Sequence, residues 1–294
     1  MPNNTFYIVD VFAQTKNSGN QLAVIINANN LSDDEMQKLA NEMHFSETAF
    51  ILSDKPKVNG YDVRIFTPSI EVPFAGHPTL GTAYVIKHFI TKVPTQEITL
   101  NLKVGQIKVT CENGPNNQEI FWMQQIQPVF SQKFSIDFFK NLLGLEPSDF
   151  DPNYPIQEVS TGLPFIITPL KTLNSVKKAR INQKLLSELT KKTQSGILIF
   201  NPQTYHKENN LNVRVFVDEF GIPEDPATGS GNGCLAAYLS HYQYFGSPQI
   251  DIKVEQGFEI RRPSILHLKT RKIGENIDVY VGGRVFPIAK GKLL

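Results

Sequence analysis

The chain has 294 residues, 40% hydrophobic and 19% charged, with 19 glycines and 19 prolines, the composition of a globular protein rather than a disordered or collagen-like one. Its 29 Lys and Arg against 28 Asp and Glu leave a formal charge of +1, so no overall field would draw it to nucleic acid or to an anionic membrane. Two cysteines, Cys111 and Cys234, exclude a disulfide framework and a Cys-x-x-Cys zinc site. No apolar run approaches the roughly 18 residues of a membrane span and no leader pattern opens the chain, so a cytoplasmic protein of about two domains is expected.

In chain order, Phe6 to Phe12 reads as a strand. A turn carrying Asn17, Gly19 and Asn20 leads to a second strand, Gln21 to Ile26. Leu31 to Met43 reads as an amphipathic helix with Ser32 as N-cap and Glu35 three residues on, the spacing of a capping box. Thr48 to Leu52 and Tyr61 to Phe66 read as strands, and Thr79 to Phe89 as a helix with Pro78 near its first turn. Glu97 to Cys111 and Glu119 to Gln125 suggest a meander turning at Asn113-Gly114, followed by a short helix, Ser135 to Leu143, stopped by Gly144.

From about residue 156 the order begins again, the signature of an internal duplication. Val63-Arg64-Ile65-Phe66 is echoed by Val213-Arg214-Val215-Phe216, an offset of 150 that Pro73 and Pro223, and Gly81 and Gly231, share. Gln37-Lys38-Leu39 resembles Gln183-Lys184-Leu185 at an offset of 146, and Ser46 to Leu52 lies against Ser195 to Asn201 at 149. Two similar α+β domains are therefore expected: 1–127 completed by 280–294, and 128–279. A duplicated pair suggests a ligand cleft between the copies.

Where the copies differ, the sequence carries chemistry. At offset 150, His77 faces Ala227, Asp225 faces Ala75, Ser230 faces Leu80, and Glu47 lies opposite Gly196 at 149. Gly76-His77 and Gly229-Ser230-Gly231 are small-residue turns entering helices, where unpaired N–H groups and the helix dipole favour a carboxylate or an oxyanion. The run Gly229-Ser230-Gly231-Asn232-Gly233 is neither G-x-G-x-x-G nor a Walker loop. The six histidines form no metal-ligand spacing, so no metal is expected.

Asp10-Val11-Phe12, Gly19-Asn20, Glu47-Thr48-Ala49-Phe50, Arg64 to Pro68, Phe74 to Gly81, Glu224 to Ser230, Gln256-Gly257 and Arg262-Pro263-Ser264 occur in one order that resembles the PhzF-like family of phenazine biosynthesis proteins across nearly the whole chain. That resemblance implies an α+β protein of two pseudo-symmetric diaminopimelate-epimerase-like domains, each a barrel-like sheet around a central helix, with the active cleft between them. It also implies a homodimeric isomerase that moves a proton, with no cofactor, on a small cyclic, carboxylate-bearing, amino acid-like substrate.

By the same resemblance Glu47 is the general base, its apolar neighbours Phe45 and Ala49 to Leu52 making burial plausible. His77 and Asp225 would hydrogen-bond the substrate and steady the moving charge, Gly76, Gly229 and Ser230 would hold its carboxylate, and Asn20 would line the same site. Racemases of the wider superfamily use a thiol from each loop, but the matching positions here hold Ala75 and Thr228. Two further readings stay open at this point: a non-catalytic small-molecule or protein-binding member, and an amino-acid racemase or epimerase.

Overall fold

A computed structural model describes residues 4–91, 93–114, 118–217 and 222–294. The chain divides into two compact units, Met1–Met123 with Gly282–Leu294, and Gln124–Val281. The first unit holds β1 (Thr5–Val11), β2 (Asn20–Ile26), α1 (Asp33–Met43), β3 (Glu47–Ile51), β4 (Tyr61–Phe66), β5 (Glu71–Val72), α2 (Gly76–Val85), β6 (Glu97–Leu102), β7 (Gly105–Asn113) and β8 (Glu119–Gln124). The second holds β9 (Val129–Phe134), α3 (Ile136–Leu143), β10 (Ile156–Ser160), β11 (Pro164–Pro169), α4 (Leu173–Lys178), α5 (Gln183–Thr193), β12 (Gly196–Asn201) and β13 (Leu211–Val217). It continues through β14 (Ile222–Asp225), α6 (Gly229–His241), β15 (Asp251–Gln256), β16 (Ser264–Ile273) and β17 (Asn276–Gly283), after which β18 (Val285–Lys292) returns to the first unit.

The two units share one pairing order. In the first, β18, β1, β2, β3, β4, β6 and β7 follow one another with β2–β3 and β4–β6 parallel and the rest antiparallel, and β5 lies beside β4. In the second, β9, β10, β11, β12, β13, β15 and β16 repeat the same directions, with β14 beside β13. Each sheet packs on one helix: α2 touches β1, β2, β3, β6, β7 and β18, and α6 touches β10, β11, β12 and β16. Every residue of α2 except Tyr84 is buried, as is every residue of α6 except His241. A helix enclosed this way has no polar face, which is why neither sequence carries the amphipathic spacing of a surface helix. The outer face of the first sheet is covered instead by α1, whose Met36 and Ala40 pack on Ile25, Phe50 and Phe66.

Local signals hold where they are complete within a few residues. The Ser32 side chain accepts from Glu35 N–H, and Glu35 accepts from Ser32 N–H, a full capping box; such a cap stabilises a helix by about 1 kcal/mol. Gly144 ends α3 in the left-handed conformation, φ 60°. Other boundaries move. α2 begins at Gly76 rather than Thr79, because Pro78 then falls within the first turn, where its missing N–H has no partner to lose; beyond Val85 the last turn widens to a π-turn over Ile86–Ile90. Glu97 to Cys111 is two strands, broken by a turn at Lys103-Val104 with Gly105 at φ 117°. At the turn read at Asn113-Gly114, Asn113 is still the last residue of β7, and residues 115–117 lie outside the described residues.

The duplication also has a different register from the one the sequence suggests. α1 and α5 both span 11 residues and start 150 apart, and both end in a left-handed residue, His44 and Gln194. The match of Gln37-Lys38-Leu39 to Gln183-Lys184-Leu185 at 146 is thus displaced by about one helical turn. The offset is 149 at β3 and β12, where Thr48 and Ile197 pair with Phe66 and Phe216, and 150 again at Phe66 and Phe216, over whose rings Arg64 and Arg214 lie at 5.1 and 4.9 Å. Three extra residues then enter the second copy. Arg64 forks onto Glu71 with bonds of 2.8 and 2.7 Å, and Arg214 onto Glu224 with 2.9 and 2.7 Å, so the offset of the acids, 71 to 224, is 153. The helix N-caps, Ala75 and Thr228, keep that offset. So do the bonds Thr79 Oγ1 to Ala75 O, 2.8 Å, and Asn232 Nδ2 to Thr228 O, 3.0 Å. His77 therefore corresponds to Ser230 rather than Ala227, and Asp225 to Val72 rather than Ala75.

The second fork is the more enclosed, its side chains 8% and 9% exposed, and Arg214 also donates to the carbonyls of Val176 and Ala179. Removing one partner leaves a buried charge uncompensated, which costs about 3–5 kcal/mol. Glu224→Ala is expected to lower the urea-unfolding stability by about 3 kcal/mol, whereas Asp33→Ala, at the exposed end of the first cluster, leaves the midpoint unchanged. Equal midpoints for both variants would overturn this ranking.

Candidate active site

In the first unit the parallel register sets Leu22 of β2 opposite Glu47, the first residue of β3. His77 is the second residue of α2, and its Nε2 lies 3.5 Å from Glu47 Oε2, with the two side chains 5% and 20% exposed. His77 also hydrogen-bonds the backbone of Gln21, at the start of β2. Its Nε2 makes no hydrogen bond, so the ring donates through Nδ1–H to that carbonyl and presents Nε2 as an acceptor. Burial lowers the His77 pKa to about 3, and the Gln21 bond only partly opposes it. The ring is therefore neutral at physiological pH, and its Nε2 lone pair faces the Glu47 carboxyl group. Asn20, next to Gln21, is 2% exposed.

In the second unit Asp225 ends β14 and Thr228 is the N-cap of α6. Thr228 is a residue type that normally bonds the first helical N–H groups, yet it makes no such bond here. Its hydroxyl instead donates to Asp225 Oδ2 at 2.5 Å and accepts from Gln256 Nε2 at 3.0 Å. The start of α6, Gly229-Ser230, is left uncapped by its own N-cap side chain, and so is the start of α2, where Ala75 has no polar group. Helix starts of this kind carry the positive end of the dipole and outward N–H groups. Ser230 is 6% exposed. The structure thus brings Glu47 and His77 together in one unit and Asp225 with Thr228 in the other, and sets Gly76, Gly229 and Ser230 at helix starts. Among the described residues, no group of three or more His, Cys, Asp or Glu is placed to hold a metal ion, and no helix is long and apolar enough to cross a membrane.

Two participants were not legible as functional residues. Gln21 fixes the His77 tautomer through a backbone atom, which leaves no trace in side-chain type. Gln256 stood in the sequence only as part of a motif, and its role needs the pairing of β15 with β13 to bring it to Thr228. Cys111 sits in β7 and Cys234 is the sixth residue of α6, where burial pushes its thiol up to about 11; neither occupies an N-cap.

Two units of one strand order, each wrapped on a buried helix that begins with glycine, define the diaminopimelate-epimerase-like fold. Within that class the chain belongs to the phenazine biosynthesis-like protein family, which it matches over residues 9–291. It is similar to the Bacillus anthracis phenazine biosynthesis protein of the PhzF family, whose crystal structure superposes with a TM-score of 0.92 at 26% identity over 100% of both chains. It is 32% identical to an uncharacterized isomerase of Clostridium acetobutylicum over 98% of this chain and 97% of that one. With the trans-2,3-dihydro-3-hydroxyanthranilate isomerase of Pseudomonas aeruginosa it shares 29% identity over 98% of each chain.

The neutral state of His77 links stability to pH. Above about pH 6.5 the ring is neutral folded and unfolded, whereas below it the unfolded chain takes up a proton that the buried ring refuses until about pH 3. Stability is lost as pH falls through that window, by about 1.4 kcal/mol at about pH 5.5. His77→Asn has no such titration, so the stability gap between wild type and variant should narrow by about that amount from pH 7.5 to 5.5. A gap independent of pH in urea titrations would show that His77 is not held neutral.

Proposed function

We propose that this isomerase moves a proton from one carbon to another position of a small, cyclic, carboxylate-bearing substrate, with Glu47 as the group that takes the proton and returns it. The observation that carries this reading is the neutral His77 Nε2 facing Glu47 Oε2 at 3.5 Å. A neutral imidazole does not neutralise the carboxylate by pairing with it as a cation, so Glu47 keeps its basicity. Once Glu47 has taken a C–H proton, the lone pair on Nε2 can accept a hydrogen bond from the new carboxylic acid and steady it until the proton is returned. Asp225 is assigned to the polar groups of the substrate, and the uncapped starts of α2 and α6, at Gly76 and at Gly229-Ser230, to its carboxylate. The name of the Pseudomonas aeruginosa relative is that of a cyclic amino acid isomerase, in keeping with this substrate class. A two-thiol racemase mechanism is disfavoured, because the two N-cap positions hold Ala75 and Thr228. A purely binding role is disfavoured by the base and its neutral histidine, for which binding alone has no use.

Glu47→Gln keeps the shape of the side chain and removes the base. In deuterated water, with a substrate carrying an exchangeable ring C–H, the variant should exchange that hydrogen about 10²–10⁴-fold more slowly than wild type. Its binding constant should change far less, since the carboxylate is held by helix starts. Exchange by Glu47→Gln at the wild-type rate would remove Glu47 from the role of base.

A further inference from the structure

Gln256 is fully buried at the end of β15, and both ends of its amide are committed. Oε1 accepts from Thr228 N at 3.2 Å and from Asn232 Nδ2 at 2.8 Å, while Nε2 donates to the Asp225 carbonyl at 2.8 Å and to Thr228 Oγ1 at 3.0 Å. The backbone fixes this orientation, because the Thr228 N–H can only donate and the Asp225 carbonyl can only accept. The direction of every later hydrogen follows. Thr228 Oγ1 receives the Gln256 amide hydrogen, so its own hydrogen points to Asp225 Oδ2, 2.5 Å away. The Asp225 carboxylate is then the acceptor end of a one-way chain, and hydrogen bonds to a charged carboxylate favour its ionised form.

The duplicated frame separates this device from ordinary fastening. β6 and β15 pair in parallel with β4 and β13, Leu100 opposite Tyr61 and Val254 opposite Leu211, which sets Leu102 at the position of Gln256. The first copy carries Leu102, Ala75 and Val72 where the second carries Gln256, Thr228 and Asp225. The first copy folds on the same strands and helix without the chain, so the chain is not needed to dock the central helix. Of the charged groups on the surrounding strands and turns, Glu224 is forked onto Arg214, and Glu255 accepts from the N–H groups of Tyr205 and His206 and from Asn209. Arg262 stands beside the same turn, its carbonyl and that of Pro226 both lying against Gly257.

We propose that Gln256 is a positioning residue for the reaction: it sets the Thr228 hydroxyl as a donor to Asp225, so that Asp225 meets the substrate as an ionised carboxylate in a single orientation. This rests on the substrate-binding role assigned to Asp225 above.

The test has a substrate-free arm and a kinetic arm. The Asp225 carboxyl carbon, identified as the signal lost in Asp225→Asn, is titrated by NMR in wild type, Gln256→Glu, Gln256→Met, Thr228→Ser and Thr228→Val. A second carboxylate at position 256 competes for the Thr228 hydrogen, so Gln256→Glu should raise the Asp225 midpoint by about one unit or more. Thr228→Val and Gln256→Met should raise it by less, and Thr228→Ser, which keeps the hydroxyl, should leave it in place. In kinetics, Gln256→Glu should move the acidic limb of the kcat/KM profile upward by the same interval, and Thr228→Ser should not. If Gln256→Glu does not fold, the contrast of Thr228→Val with Thr228→Ser decides. An Asp225 midpoint unmoved in every folded variant overturns the proposal. A moved midpoint with an unmoved pH profile overturns it as well, by confining Gln256 to a structural role. Because the titration needs no turnover, a shift seen in a protein that proves to have no proton-transfer activity would count against the proposed function and not against the hydrogen-bond chain.

Discussion

A helix enclosed on all sides by its own sheet is the constraint from which the rest of each unit follows. Such a helix can satisfy its interior backbone groups internally, but the first N–H groups of its N-terminus have no intrahelical partner. Side chains cannot project far either. A Cβ on Gly81 would stand 2.6 Å from Leu22 Cδ2 and 2.9 Å from Val11 Cγ2, and one on Gly233 would stand 3.0 Å from Gln125 Cγ. Small residues let the strands close around α2 and α6, and the same close packing concentrates the unsatisfied polar ends at Gly76 and Gly229. The anion-seeking ends of the helices are thus a by-product of how the core is built.

Duplication supplies the frame twice, and function has diverged on it unequally. The Arg64–Glu71 and Arg214–Glu224 forks are near copies in geometry, and they tie β4 and β13 to the short strands, β5 and β14, that lead into the central helices. Around these copies the polar groups are not repeated. Glu47 stands where the other copy has Gly196, His77 where it has Ser230, and Val72 where it has Asp225. Conserving the frame while changing these positions gives one carboxylate paired with a neutral imidazole and another bound to a threonine hydroxyl. Two acids of the same type are thereby placed in unlike electrostatic settings, which is how carboxylates acquire separate roles.

The histidine illustrates how burial decides chemistry. An exposed His beside Glu47 would be a cation for part of the physiological range and would hold the carboxylate as an ion pair. At 5% exposure, desolvation outweighs the hydrogen bond that its other nitrogen makes to the Gln21 backbone, and the ring stays neutral. The same residue at the same distance thus becomes an acceptor instead of a counter-ion.

The amino-acid sequence by itself determined the local and the repeated features. The Ser32–Glu35 box, the Gly144 stop, the strand at Tyr61 to Phe66 and the family motifs lie within a few consecutive residues, where side-chain type and spacing carry the whole signal. The repetition of Arg64 and Arg214 exposed the two-unit, α+β architecture for the same reason. Only the tertiary structure decided the shift from 150 to 153 between the copies, because the three extra residues fall between Phe216 and Glu224 and are visible only when both forks are paired. The break at Lys103-Val104 interrupts no apolar pattern, and β9, with its mostly exposed residues, shows little alternation to read. The tautomer of His77 and the hydrogen-bond chain through Gln256 join groups dozens of residues apart, some of them backbone atoms. Burial and cross-strand hydrogen bonding are properties of the folded arrangement, and no window of consecutive residues contains them.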